Sequence, residues 1–187
     1  MDLMQAILDR RSIRKYKPDP VSDEDLSKIL ESARWAPSWA NTQVWRFIIV
    51  RDYETRDRLA KATISKAPGR ENNAAPALRQ APIAVVACAE LGRSGCFDGV
   101  PYTDKNEWFM FDVALSLNNL TLMAHALGLG TVHIGLFDAA KIAEIVGVPE
   151  GYVVVEILPL GHPDESPAPR ARKSATELVF HEKFGER

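Results

Sequence analysis

The chain has 187 residues, 46% hydrophobic and 26% charged, with a formal net charge of −2. That length accommodates one well-buried core and hardly a second independent domain, so a single domain over 1–187 is expected. The near-neutral balance excludes a general nucleic-acid binder, and the hydrophobic content excludes a disordered or fibrous chain.

In chain order, Leu3, Met4, Ile7 and Leu8 fall at helical spacing and predict a short amphipathic helix. It ends where RRSIRKYKP (10–18) packs five cations into the eight residues from Arg10 to Lys17. Pro18 and Pro20 impose an extended passage. Ser22 followed by Asp23, Glu24 and Asp25 reads as an N-cap and acidic first turn. Leu26, Ile29, Leu30 and Ala33 form the buried face of that helix, and Pro37 stops it near Ala36. PSWANTQ (37–43) is a loop by composition, and Val44–Arg51 is a strand by its aromatic and β-branched content. Residues 53–66 read as a polar surface helix and 67–76 as a mobile connection. Pro82–Glu90 is a continuous apolar run of the kind found in strands covered on both faces, so helices are expected on both sides of the sheet.

LGRSGCFDGVPY (91–102) reads as a glycine-rich loop, and Asp104–Leu127 as the longest helix, apolar nearly all round. Its exceptions Asp112, Ser116 and Asn119 form one stripe that requires buried partners or a polar interface. A glycine ends this helix, a short strand follows, Asp138 caps a helix over 139–148, and YVVVEILPLG (152–161) is a strand. From His162 the tail is proline-rich and charged, with some strand character in ATELVF (175–180). Interleaved strands and helices point to a layered α/β or α+β domain.

Only Cys88 and Cys96 are present, at a spacing that fits neither a CxxC pair nor a zinc pattern, and the four histidines are scattered. A reduced, cytoplasmic setting is expected, because the N-terminus lacks a signal-peptide pattern and the apolar run 113–127 is too short to span a bilayer. P-loop, Rossmann and GxSxG patterns are missing. The basic cluster admits two readings. A charge run is usually a solvated face. Yet Arg10, Arg11 and Arg14 interleave with Ser12, and planar guanidinium groups match phosphate with paired hydrogen bonds. Arg170, Arg172 and Lys173 form a second cluster, so a tail that folds back would let two arginine groups grip one phosphate. PSWANTQVWRF sets polar side chains between tryptophans, which suits either reading the edge of a ring or building a self-bonded turn. The residues alone reach a layered domain that is a candidate binder of a phosphorylated aromatic compound.

Taken together, these pieces resemble the nitroreductase family of flavoproteins. RRSIR after a short helix resembles that family's flavin-phosphate motif. APSWANTQVWRFIIV resembles its PSxxNxQPW.F segment, with Val44 where proline is common. APIAVVACA, DVALSLNNLTLMAHALGLGTVHIGLFD and PAPRARKSATELV follow in the family's order, so the resemblance covers nearly the whole chain. It implies an α+β fold with a mixed central sheet flanked by helices, an intertwined homodimer with FMN at the subunit interface, and a tail (about 162–187) wrapping the partner. The Asp112, Ser116 and Asn119 stripe would then belong to the interface.

Carried over by motif position, Arg10, Arg11, Ser12 and Arg14 would hold the phosphate and ribityl chain, with Arg172 and Arg170 closing on the phosphate. Pro37, Ser38, Trp39 and Asn41 would reach the ring from the other subunit. His133, Ile134 and Gly135 would line the ring, a backbone amide near Gly135 donating to the hydride-accepting nitrogen, and Asn73 would meet the pyrimidine edge. The implied activity is ping-pong hydride transfer from NADH or NADPH through FMN to nitroaromatic, quinone or related small-molecule acceptors. No side-chain acid, base or metal is required, and neither a membrane nor nucleic acid is a partner. The alternatives are a specialised flavin branch, reductively dehalogenating or flavin-fragmenting, and a flavin-binding module without turnover.

Overall fold

A computed structural model of the chain describes residues 1–67 and 69–186. In chain order its elements are α1 (Leu3–Asp9), α2 (Asp23–Arg34), a 3-10 turn (Trp39–Asn41), β1 (Trp45–Val50), α3 (Tyr53–Lys61), α4 (Ala75–Gln80) and β2 (Ile83–Glu90). There follow β3 (Cys96–Phe97), β4 (Val100–Pro101), α5 (Phe109–Ala126), β5 (Gly130–Thr131), α6 (Ala139–Val146), β6 (Tyr152–Gly161) and α7 (Ala175–Leu178).

The main sheet runs β1-β2-β6-β5 with antiparallel pairing throughout, and Ser12 adds a parallel bridge to Thr131 that makes it mixed. Successive side chains of β2 point to opposite faces, and this divides the core. Ile83, Val85, Ala87 and Ala89 pack with Leu26, Ile29 and Ala33 of α2 and Val113, Leu117 and Leu120 of α5. Ala84, Val86 and Cys88 pack with Leu59 of α3, Leu78 of α4 and Ile142 of α6. Helices on both faces of an antiparallel-dominated sheet give the α+β fold, and the unbroken apolar run of β2 is the local cause.

Caps follow the sequence closely. Ser22 accepts from the Asp25 amide at 3.0 Å and Asp138 from the Lys141 amide at 3.1 Å. Several elements differ from expectation. The predicted connection 67–76 ends in helix α4, entered through Pro76, and Pro68 lies outside the described residues, as does Arg187 in the tail. The predicted helix over 53–66 stops at Lys61, and Thr63 bridges Phe137 instead. The predicted loop 91–102 contains the hairpin β3–β4, turned by Asp98 and Gly99 at φ +47° and +77°, the left-handed pair that an Asp-Gly turn supplies. The long helix starts at Phe109, five residues later than expected, because Thr103 and Ser94 hold Trp108 in a preceding turn. ATELVF is not strand-like. Ser174 and Glu177 form a capping box that starts α7.

Candidate functional site

The N-terminal arginines and the tail are drawn together by main-chain pairing. Lys17 donates to the His162 carbonyl and Asp164 to that of Lys15, each at 2.9 Å. The Glu165 carboxylate accepts from the amides of Arg14 (2.5 Å) and Lys15 (3.2 Å). The chain beyond Glu165 therefore runs over the arginine segment, and the two basic clusters share a cavity of about 710 Å³. Its walls include Ile7, Leu8, Arg10, Arg11, Ser12, Arg14, Pro167, Arg170 and Arg172, whereas Lys15 and Lys17 stay outside it.

Among the described residues none of the five cavity arginines forms an ion pair with a carboxylate. Arg11 donates to the Leu8 and Arg10 carbonyls and Arg14 to that of Ser12. The Arg10 guanidinium is held below its ordinary pKa by burial first and then by the positive charges of Arg11 and Arg172. Cations crowded together without a counter-ion form a site whose electrostatics favour a polyanion. Several guanidinium forks and the Ser12 hydroxyl suit the oxygens of a phosphomonoester, so this donor set fits the FMN phosphate.

From this cavity the backbone leads to the predicted ring-lining segment. Ile13 donates to the Thr131 carbonyl at 2.9 Å, which fixes Ser12 beside β5 only two residues before His133. Gly130 allows that approach, because a Cβ there would lie 2.6 Å from Ile13 Cγ1. His133 is exposed, with Nδ1 3.0 Å from the Glu156 carboxylate. Glu156 sits where the β2–β6 ladder slips by one residue. Ile134 is buried in the core, with its amide and carbonyl both paired to Ile157. Gly135 is exposed, and its amide has no hydrogen-bond partner among the described residues. Asn73 is exposed and follows Asn72, whose side chain donates to the carbonyls of Ile64 (2.7 Å) and Leu136 (3.4 Å). Asn73 is thereby placed near the 133–136 strip.

Pro37, Ser38, Trp39 and Asn41 do not join this group, since none of them lines the arginine cavity. Their loop is self-bonded. Ser38 Oγ accepts from the Gln43 amide at 3.0 Å, and the Ser38 carbonyl from the Asn41 amide at 3.0 Å. Ala40, Asn41 and Gln43 all have left-handed φ, between 44° and 55°. For residues other than glycine this costs on the order of 1 kcal/mol each, so the surroundings must enforce it.

Asp112 anchors the loop. Fully buried on α5, it accepts from the Trp39 amide at 2.9 Å, Ser94 Oγ at 2.6 Å and Thr42 Oγ1 at 3.4 Å. The stripe expected at the subunit interface is thus satisfied inside the chain. Ser116 donates to the Ala33 carbonyl, and Asn119 and Ser32 exchange bonds to each other's carbonyls. The side chains left uncovered are others: Met110 and Phe111 on α5, Leu3, Met4, Ile7 and Leu8 on α1, and Leu178, Val179 and Phe184 in the tail. Residue spacing alone also missed Glu165, Glu156 and Arg56. The Arg56 guanidinium caps the C-terminal end of α4 by donating to the carbonyls of Leu78, Arg79 and Ala81. Burial pushes the Cys88 thiol up to about 11, as expected of a structural cysteine.

The Nitroreductase family matches this chain over residues 7–162, from the end of α1 through β6. The chain belongs to the nitroreductase family. Within it, an NADH dehydrogenase of Thermus thermophilus is 30% identical, over 96% of each chain. The FMN reductase [NAD(P)H] of Bacillus subtilis is 29% identical, over 97% of this chain and 73% of its own. Among solved structures, the NADPH:FMN oxidoreductase of Vibrio harveyi complexed with NAD+ superposes with a TM-score of 0.81 at 27% identity. It covers 98% of this chain, which spans 78% of it. No helix among the described residues is long and apolar enough to cross a membrane.

Proposed function

We propose that this nitroreductase-family chain is an FMN-dependent NAD(P)H oxidoreductase that reduces small oxidised acceptors, nitroaromatics and quinones among them, and that two copies complete each cofactor site. The observation that carries this reading is the cavity where guanidinium groups from opposite ends of the chain meet with no ion pair to a carboxylate among the described residues. Bound FMN would supply the hydride chemistry, accepting hydride from the nicotinamide and passing it to the second substrate.

The chain's own residues supply position and electrostatics. Arg10, Arg11, Arg14, Arg170 and Arg172, with Ser12, take the phosphate. The Gly135 amide, which has no partner among the described residues, would donate toward the ring, with His133, held by Glu156, beside it and Asn73 at the pyrimidine edge. A preorganised backbone donor in this position favours charge that develops on the ring without reorganising water. Pro37, Ser38, Trp39 and Asn41 lie outside their own chain's arginine cavity, which supports their serving the site of a second copy. The exposed apolar residues of α1 and α5 supply a face for that copy, and those of the tail a strap around it.

Steady-state kinetics test the reading. Without oxygen, protein saturated with FMN should turn over NADH or NADPH only when a quinone or nitroaromatic is present, with parallel double-reciprocal lines. Intersecting lines would overturn the ping-pong order. Bound FMN with no turnover would favour a binding module.

A further inference from the structure

The Asp112 carboxylate has no cationic partner among the described residues. Its acceptor capacity goes to three neutral donors from two remote segments: the Trp39 amide and Thr42 hydroxyl of the 37–43 loop, and the Ser94 hydroxyl of the stretch before the hairpin. Trp39 and Thr42 bracket Ala40 and Asn41, two of the left-handed residues. Left to itself, a strained loop of this kind relaxes to ordinary φ. Ser94 is held in turn, since its carbonyl accepts from the Trp108 amide at 2.9 Å. Gly95 lies so close to Trp108 that a Cβ would come 2.4 Å from the indole. One buried carboxylate therefore joins the first turn of α5, the strained loop and the base of the β3–β4 excursion.

We infer that Asp112 is the positioning residue for the ring-contact loop, fixing Ser38, Trp39 and Asn41 in the geometry that meets FMN. This rests on the functional reading above, in which that loop reaches the ring. An acid suits the position because every group facing it donates. An amide would be the nearest substitute, since its oxygen keeps the Trp39 bond and both hydroxyls can rotate to accept from its NH2.

The test uses the full-length protein with Asp112→Ala, Asp112→Asn and Ser94→Ala. It measures equilibrium FMN binding, visible circular dichroism of the flavin at saturating FMN, and far-UV dichroism for folding. Asp112→Ala should weaken FMN binding by about tenfold or more, the scale of a lost charge-assisted hydrogen bond. It should also change the visible dichroism at full occupancy, which a loss of global stability alone would not. Asp112→Asn should restore both toward wild type. A folded Asp112→Ala protein with wild-type affinity and dichroism overturns the inference. If Asp112→Ala does not fold, Ser94→Ala carries the test: a smaller loss in the same direction supports the inference, and no change overturns it. Wild-type protein that binds no FMN would instead sink the functional reading, and this inference with it.

Discussion

Arg14 and Arg172 stand more than 150 positions apart, and no contact between their side chains is needed for them to act together. A shared ligand is sufficient, and both arginines line one cavity. Replacing either with alanine should weaken FMN binding by about tenfold, the usual worth of one ionic hydrogen bond. The loss should shrink as salt rises, because screening weakens the ionic contact that the wild type makes and the variant lacks. Riboflavin, which lacks the phosphate, is the control, and its affinity should not change. Equal losses for FMN and riboflavin would place these arginines elsewhere than on the phosphate. The two arginine clusters were legible in the sequence as clusters, and the structure adds that they line one cavity. Glu165, which anchors the tail through the Arg14 and Lys15 amides, was not, because its role depends on a pairing 150 residues distant. Asp112 was visible as part of a polar stripe, but its partners lie on loops whose positions only the fold defines.

At the scale of elements, alternation and capping made β1, β2, β6, α2 and α6 readable, since each carries its own signal. The misread segments carried signals too. Asp98-Gly99 marks a hairpin, and Ser174 with Glu177 marks a helix start, yet both were outweighed by composition. β5, only two residues long, is the element that matters most to the site, and Gly130 within it lets the arginine segment approach. Gly130→Ala should therefore push Ile13 and its flanking arginines outward, costing about 1–3 kcal/mol of stability in urea denaturation as overpacking does, with weaker FMN binding. Gly135→Ala, where nothing lies within 4 Å of the added methyl group, should leave stability unchanged. Equal stability of the two variants would show that the β5–Ile13 contact does not hold the arginine segment.

For the whole molecule, the arginine cavity leading to the 131–135 strip and the strained 37–43 loop on Asp112 lie apart, and in the proposed function each is one half of a site completed by a second copy. Apolar side chains on α1 and α5 are exposed in a single copy. The layered architecture was legible because β2 is apolar on both faces and needs helices on each. The separation of the 37–43 loop from the arginine cavity was not legible from local spacing, because it is a property of how the loop and the tail lie on the fold. In the proposed function this arrangement holds an FMN that nicotinamide nucleotides reduce. The most direct test is an anaerobic titration of the FMN-saturated protein with NADH and with NADPH, following the visible flavin band. At least one nucleotide should bleach the band stoichiometrically, and air should restore it. A protein that stays colourless after mixing with FMN, or whose bound FMN neither nucleotide bleaches, would contradict the proposed function.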